Sequence, residues 1–133
     1  MVDLASLEAG KVWKYLGMEI VRNQQGQPGV RVKVTENLRQ VYGNVHGGII
    51  ATAVDAAVAV IVNETIGADY GASTVELKVN FLRPVSHSDL FAFSKLVKKG
   101  RQLMIGTTEV FDDRGNLVAV GIATYMVRPL THK

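Results

Sequence analysis

Apolar and polar residues alternate along most of this chain, and one long stretch breaks the alternation. Val30, Val32 and Val34 are separated by Arg31, Lys33 and Thr35, the two-residue period of a half-buried strand. Val75, Leu77, Val79 and Phe81 alternate with Glu76, Lys78 and Asn80 in the same way, and Arg83-Pro84 closes that strand. Further strands are expected over 18–22, 90–97, 103–111 and 117–127. Turns are expected over 24–29, 98–100 and 112–116, where Gly, Pro, Asn and Asp collect. Residues 5–16 read as a short amphipathic helix that ends before Gly17. The exception is the run from Ile49 to Val62, which is apolar on every side apart from Thr52 and Asp55. As a helix it would be buried all round. A loop over 36–44 leads into it, and it should end near Gly67. One buried helix and about six strands joined by short turns predict an α+β domain with an antiparallel sheet. A flat sheet covers one side of such a helix, so the sheet must curl around it.

The length of 133 residues is that of a single domain, expected to span 1–133, and 47% hydrophobic residues are enough to fill its core. There is no cysteine, which excludes disulfides, thiol nucleophiles and Cys-zinc sites. The net charge of +3 and pI of about 9.3 are a mild basic bias. They speak weakly for nucleic acid but suit a phosphorylated small molecule. The run from Ile49 to Ile66 approaches the length of a membrane span, yet Asp55, Asn63 and Glu64 interrupt it, so a buried helix is expected rather than a membrane segment. The N-terminal residues lack a basic region followed by an apolar one, so no signal peptide and a cytoplasmic location are expected. No His, Asp and Glu cluster has metal-ligand spacing, and no phosphate loop or Ser-His-Asp arrangement is visible, so neither a metal nor a cofactor is expected.

The chemistry concentrates at Val45-His46-Gly47-Gly48 and at Asp55. A lone carboxylate in an apolar helix is costly unless it is satisfied or used. The first turn of a helix has N–H groups without internal acceptors, and two glycines there leave them open to a ligand. Each glycine costs the helix about 1 kcal/mol relative to Ala. Gly47 therefore reads as functional, and Gly48 as serving close packing. His46 reads as capping the loop through hydrogen bonds. Bare amides and an acid together suggest a site for an acyl carbonyl. Gly47 and Asp55 are eight residues apart, about 12 Å on a straight helix. Both must come within roughly 3 Å of one reacting centre. One helix cannot do that, whereas two antiparallel helices from two subunits can.

The pattern resembles the hotdog-fold acyl-CoA thioesterases, in the branch of the phenylacetic-acid-pathway thioesterase and 4-hydroxybenzoyl-CoA thioesterase. The matching residues are Gly43-Asn44-Val45-His46-Gly47-Gly48, Asp55, the segment from Thr74 to Pro84, and Lys99-Gly100-Arg101. The resemblance implies that the Gly47 amide binds the thioester oxygen and that Asp55 is base or nucleophile. It implies that Gln40 orients water or substrate, with His46 and Gly48 beside the substrate. A hydroxyl on the next strand would support the acid. Thr74 is the matching position, but alternation turns it away from the apolar face with Glu76 and Lys78. Either a bulge turns it inward or Thr74 is structural, with Ser73 as the fallback. CoA phosphates would meet Lys99 and Arg101 near the Gly100 turn, with Arg83 as a further candidate. The implied partners are an acyl-CoA substrate and a second copy of the chain, as a homodimer that pairs into a dimer of dimers. Two other readings are a hydratase or dehydratase of the same fold and a non-catalytic acyl-CoA binding protein.

Overall fold

A computed structural model describes residues 3–130; the outer residues of the expected domain, 1–2 and 131–133, lie outside the described residues. The chain runs through helices α1 (Leu4–Glu8) and α2 (Lys11–Leu16), strands β1 (Met18–Arg22) and β2 (Pro28–Val32), and a single 3-10 turn, Glu36–Leu38. The long helix α3 (Gly47–Ile66) follows, then β3 (Tyr70–Phe81), β4 (Leu90–Lys99), β5 (Leu103–Phe111) and β6 (Leu117–Pro129). The six strands form one sheet in the order β1-β2-β4-β5-β6-β3, antiparallel throughout. Strands β2 to β6 all touch α3. This is the hotdog fold expected from the sequence: a curved antiparallel sheet around one central helix.

Packing explains the curl. Val54, Val58, Val60 and Val62 of α3 have no exposed surface. Burying a valine side chain is worth about 1.5 kcal/mol or more. Two glycines let the strands come close. A Cβ at Gly106 would lie 3.0 Å from Val58, and one at Gly121 would lie 2.6 Å from Val54.

The enclosure is incomplete, which corrects the expectation of a helix buried all round. Thr52, Asp55, Ala59 and Asn63 recur at helical spacing and remain half-exposed. Other boundaries also differ. The expected helix over 5–16 is broken: Gly10 takes ψ 146 and caps a second helix. The expected turn over 24–29 stops at Gln27, because Pro28 and Gly29 pair with Arg22 and Val21 in β2. Lys98 and Lys99 belong to β4, so the reversal falls on 100–102. β3 begins at Tyr70, well before the alternation at Val75.

The two sheet edges are treated differently. At β1, Glu8 accepts a hydrogen bond from the Ile20 N–H at 2.7 Å, and α1 and α2 pack alongside. At β3, the outer edge is free of any described element, and Tyr70, Val75, Leu77 and Phe81 are exposed.

Gly121→Ala should overpack the contact between β6 and α3. A stability loss of about 1–3 kcal/mol is expected. Urea unfolding should show it as a lower midpoint with an unchanged slope; a midpoint equal to wild type would mean that the sheet can back away from Val54.

Candidate functional site

The start of α3 is built by its own cap. His46 is the N-cap, and its Nδ1 accepts the Gly48 N–H at 2.9 Å. A Cβ on Gly48 would lie 3.1 Å from that nitrogen, so glycine makes room for the folded-back ring. The His46 backbone carbonyl accepts from Ile49 and Ile50. The segment is tied down from outside by Val45 N–H to the Val85 carbonyl and His46 N–H to the Leu38 carbonyl. Among the described residues, the Gly47 N–H has no acceptor. The Phe81 ring stands 3.4 Å from where a Cβ on Gly47 would sit. Gly47 lines a hollow of about 350 Å³ together with Gln40, Ile50, Phe81 and Arg83. Gln40 spends its side-chain oxygen on its own loop, accepting from Tyr42 N–H at 2.6 Å; its amide nitrogen is uncommitted among the described residues.

Asp55 lies two turns further along, on the half-exposed stripe. Its Oδ1 accepts from Thr74 Oγ1 at 2.7 Å and from the Tyr125 hydroxyl at 2.6 Å. The expected conflict over Thr74 is resolved by a bulge. The β3–β6 register shifts between Thr74, paired with Tyr125, and Glu76, paired with Thr124. Val75 is the extra residue, 53% exposed, and Thr74 turns inward. Ser73 pairs with Met126 on the opposite face, and its side chain does not hydrogen-bond Asp55.

Tyr125 was not singled out in the sequence. It is 4% exposed and packs with Val58, Val62, Met104 and Val127. Burial first, and then the Asp55 charge, push its hydroxyl well above the usual tyrosine range, so it remains a donor at neutral pH. Its only sequence signal is a polar tip at a core-facing position of β6.

The basic candidates are spread out. Arg83 sits by the Gly47 hollow, where its charge is one of the influences that hold Asp112 below the usual carboxylate range; the Asn116 side-chain hydrogen bond is the largest. Arg101 lies at the far end of the sheet, in a hollow of about 500 Å³ with Lys98, Gly100 and Gln102; Lys99 does not line it. A further hollow, about 600 Å³, opens on the sheet face away from α3 between Lys78, Lys95, Phe93 and Ile122. It contains neither Gly47 nor Asp55 and is separate from this chemistry. No group of three His, Asp or Glu that could hold a metal occurs among the described residues.

One chain thus presents two separate clusters: an open amide at Gly47 with Gln40 and Arg83, and a held carboxylate at Asp55 with Thr74 and Tyr125.

Residues 42–119 match the family described as the thioesterase superfamily. The medium/long-chain acyl-CoA thioesterase YigI of Escherichia coli (strain K12) is 29% identical over 130 residues, covering 84% of this chain and 82% of that protein. The 1,4-dihydroxy-2-naphthoyl-CoA hydrolase of Listeria monocytogenes is 23% identical over 113 residues, covering 85% of this chain and 92% of that protein. Among solved structures, the BH2602 protein of Bacillus halodurans with CoA superposes with a TM-score of 0.85 at 26% identity, covering 92% of this chain and 81% of that one.

Proposed function

The chain belongs to the thioesterase superfamily, and from that premise we propose that it hydrolyses an acyl-CoA thioester to the free acid and CoA. The observation that carries the proposal is Asp55, held through Oδ1 by two hydroxyls on the open stripe of α3. Its other oxygen has no partner among the described residues. That atom is free to take a proton from the water that attacks the carbonyl, or to attack the carbonyl itself, expelling CoA as the thiolate and leaving an anhydride that water opens. The thioester oxygen would sit on the Gly47 N–H, where the helix dipole favours developing negative charge. The named relatives act on acyl-CoA substrates, which supports the same class here. Within the superfamily we assign the chain to the branch of the phenylacetic-acid-pathway thioesterase and 4-hydroxybenzoyl-CoA thioesterase, on Gly43 to Gly48 and Asp55. A panel of aryl- and medium-chain acyl-CoAs, followed by thiol release, tests that assignment.

The two clusters call for two subunits. Gly47 lies beside Phe81, and Asp55 beside Thr74. Opposing Gly47 to Asp55 across two α3 helices centres a two-fold axis on Ala51. Opposing Phe81 to Thr74 across two β3 edges centres it between Leu77 and Lys78. One axis serves both, closes the exposed stripe and pairs the open sheet edge. The same register sets Arg83 of the partner subunit alongside Ala72, whose row runs through Val127 to Gln102. Arg101 and Arg83 of the partner subunit would then border one entrance, where CoA phosphates can meet both. Two such dimers would pair into the tetramer. A hydratase reading would need His46 as a proton shuttle, whereas its Nδ1 serves here as the cap of α3, accepting from Gly48 N–H.

Asp55→Asn, close in size but unable to take a proton, should lower kcat by at least about 10²-fold while changing acyl-CoA affinity little. Wild-type turnover by the folded variant would remove Asp55 from the chemistry, whereas acyl-CoA binding without turnover by the wild-type chain would favour an acyl-CoA binding protein. Sedimentation at the assay concentration should find a dimer or larger; an active monomer would overturn the two-chain site. Arg101→Ala should raise KM for acyl-CoA several-fold with kcat nearly unchanged, an effect that fades as salt rises. An acyl-N-acetylcysteamine, which lacks the nucleotide, should not sense it; equal slowing of both substrates would assign Arg101 to fold or dimer packing.

A further inference from the structure

We infer that Tyr125 is a positioning residue for Asp55: its buried hydroxyl fixes which carboxylate oxygen faces the substrate. The inference rests on the hydrolytic reading above, in which Asp55 takes the proton or attacks.

A carboxylate on a helix has two rotatable bonds, and an unpinned one presents either oxygen in many orientations. Misplacement by about 1 Å can cost on the order of 10²-fold in rate. Here both hydroxyl donors converge on Oδ1, at 2.7 Å from Thr74 and 2.6 Å from Tyr125. Among the described residues no other side chain hydrogen-bonds Asp55, so Oδ2 remains for the water or the carbonyl carbon. The two donors are unlike. Thr74 is exposed, at a bulge on the edge strand. Tyr125 stands on β6 between β3 and β5, with its ring packed among Val58, Val62, Met104 and Val127. The position of its oxygen is therefore set by core packing, while that of Thr74 is set by an edge strand at its bulge.

The hydroxyl also lies 2.7 Å from the Asp55 backbone carbonyl. It has one proton to give, and the charged acceptor takes the stronger bond. The bond to the carboxylate thus ties Asp55 of α3 to β6. Tyrosine is costly in a core unless its hydroxyl finds a partner. Phenylalanine would fill the same space, which leaves the bond to Asp55 as the reason for the oxygen.

Tyr125→Phe keeps the ring and removes the oxygen. Thiol release should show kcat lower by 10-fold or more and KM within two-fold. The acid limb of the kcat profile should move to higher pH, because a donor to the charged form of the carboxylate is gone. In an Asp55→Asn background, adding Tyr125→Phe should change the residual rate by less than two-fold, since the group being positioned no longer reacts. A folded Tyr125→Phe enzyme with wild-type kcat and an unmoved acid limb overturns the inference, as does a full additive loss in the Asp55→Asn background. Wild-type turnover by Asp55→Asn itself would instead overturn the reading of Asp55 as the reacting group. Should Tyr125→Phe fail to fold, 3,5-difluorotyrosine at 125 retains ring and hydroxyl but donates more strongly. The acid limb should then move to lower pH, and an unmoved limb overturns the inference.

Discussion

α3 carries valine, alanine and isoleucine on nearly all of its faces, and such a helix persists in water only while other elements keep water off it. By length and hydropathy it could equally cross a bilayer. Here five strands take up most of its surface instead. That demand sets the curvature of the sheet and explains why Gly106 and Gly121 stand where β5 and β6 cross the helix. It also sets where chemistry can occur. A six-stranded sheet wraps the helix but leaves one stripe, and the stripe holds the carboxylate. The polar group is placed where enclosure ends, so its desolvation is partial and its partners come from β3 and β6, the two adjacent strands at that edge of the sheet.

The difference between the sheet edges follows from the same geometry. An uncovered strand offers a row of unpaired N–H and C=O groups to any other strand. At β1 the N-terminal helices and the Glu8 carboxylate blunt that row. At β3, twelve residues long, nothing described does. The edge next to Thr74 and Phe81 is the open one, and it borders the stripe of α3. A surface that left both exposed in an isolated chain would carry a contiguous apolar patch with Val75, Leu77 and Phe81.

Much of this was legible in the sequence, and the failures are local. The helix from Gly47 to Gly67 follows from its apolar run and its glycines, and the later strands from alternation between turn residues. Gly10 was unreadable as a helix break because the amphipathic spacing continues across it. Pro28 and Gly29 look like turn residues by composition. They lie in a strand because β4 passes so close that a Cβ on Gly29 would fall 2.2 Å from the Ala92 carbonyl oxygen. Asp55 stood out as a lone charge among alanines and valines. Of its partners, Thr74 was offered by the resemblance but left open by the alternation, because its orientation depends on a bulge; Tyr125 was not offered, because it depends on a contact 70 residues away. Tyr125 sits in a strand whose pattern a plain core aromatic would satisfy equally well.

The bulge at Val75 has a consequence for how this chain compares with others. Thr74 and Glu76 pair with successive residues of β6, so Val75 is a spare residue in the strand. Deleting it would leave a regular strand with Thr74 still facing Asp55. Chains with the same site can therefore differ by one residue between this threonine and the Arg-Pro that follows the strand. A gapless alignment of two such chains would match Thr74 to the wrong neighbour and hide a shared hydroxyl.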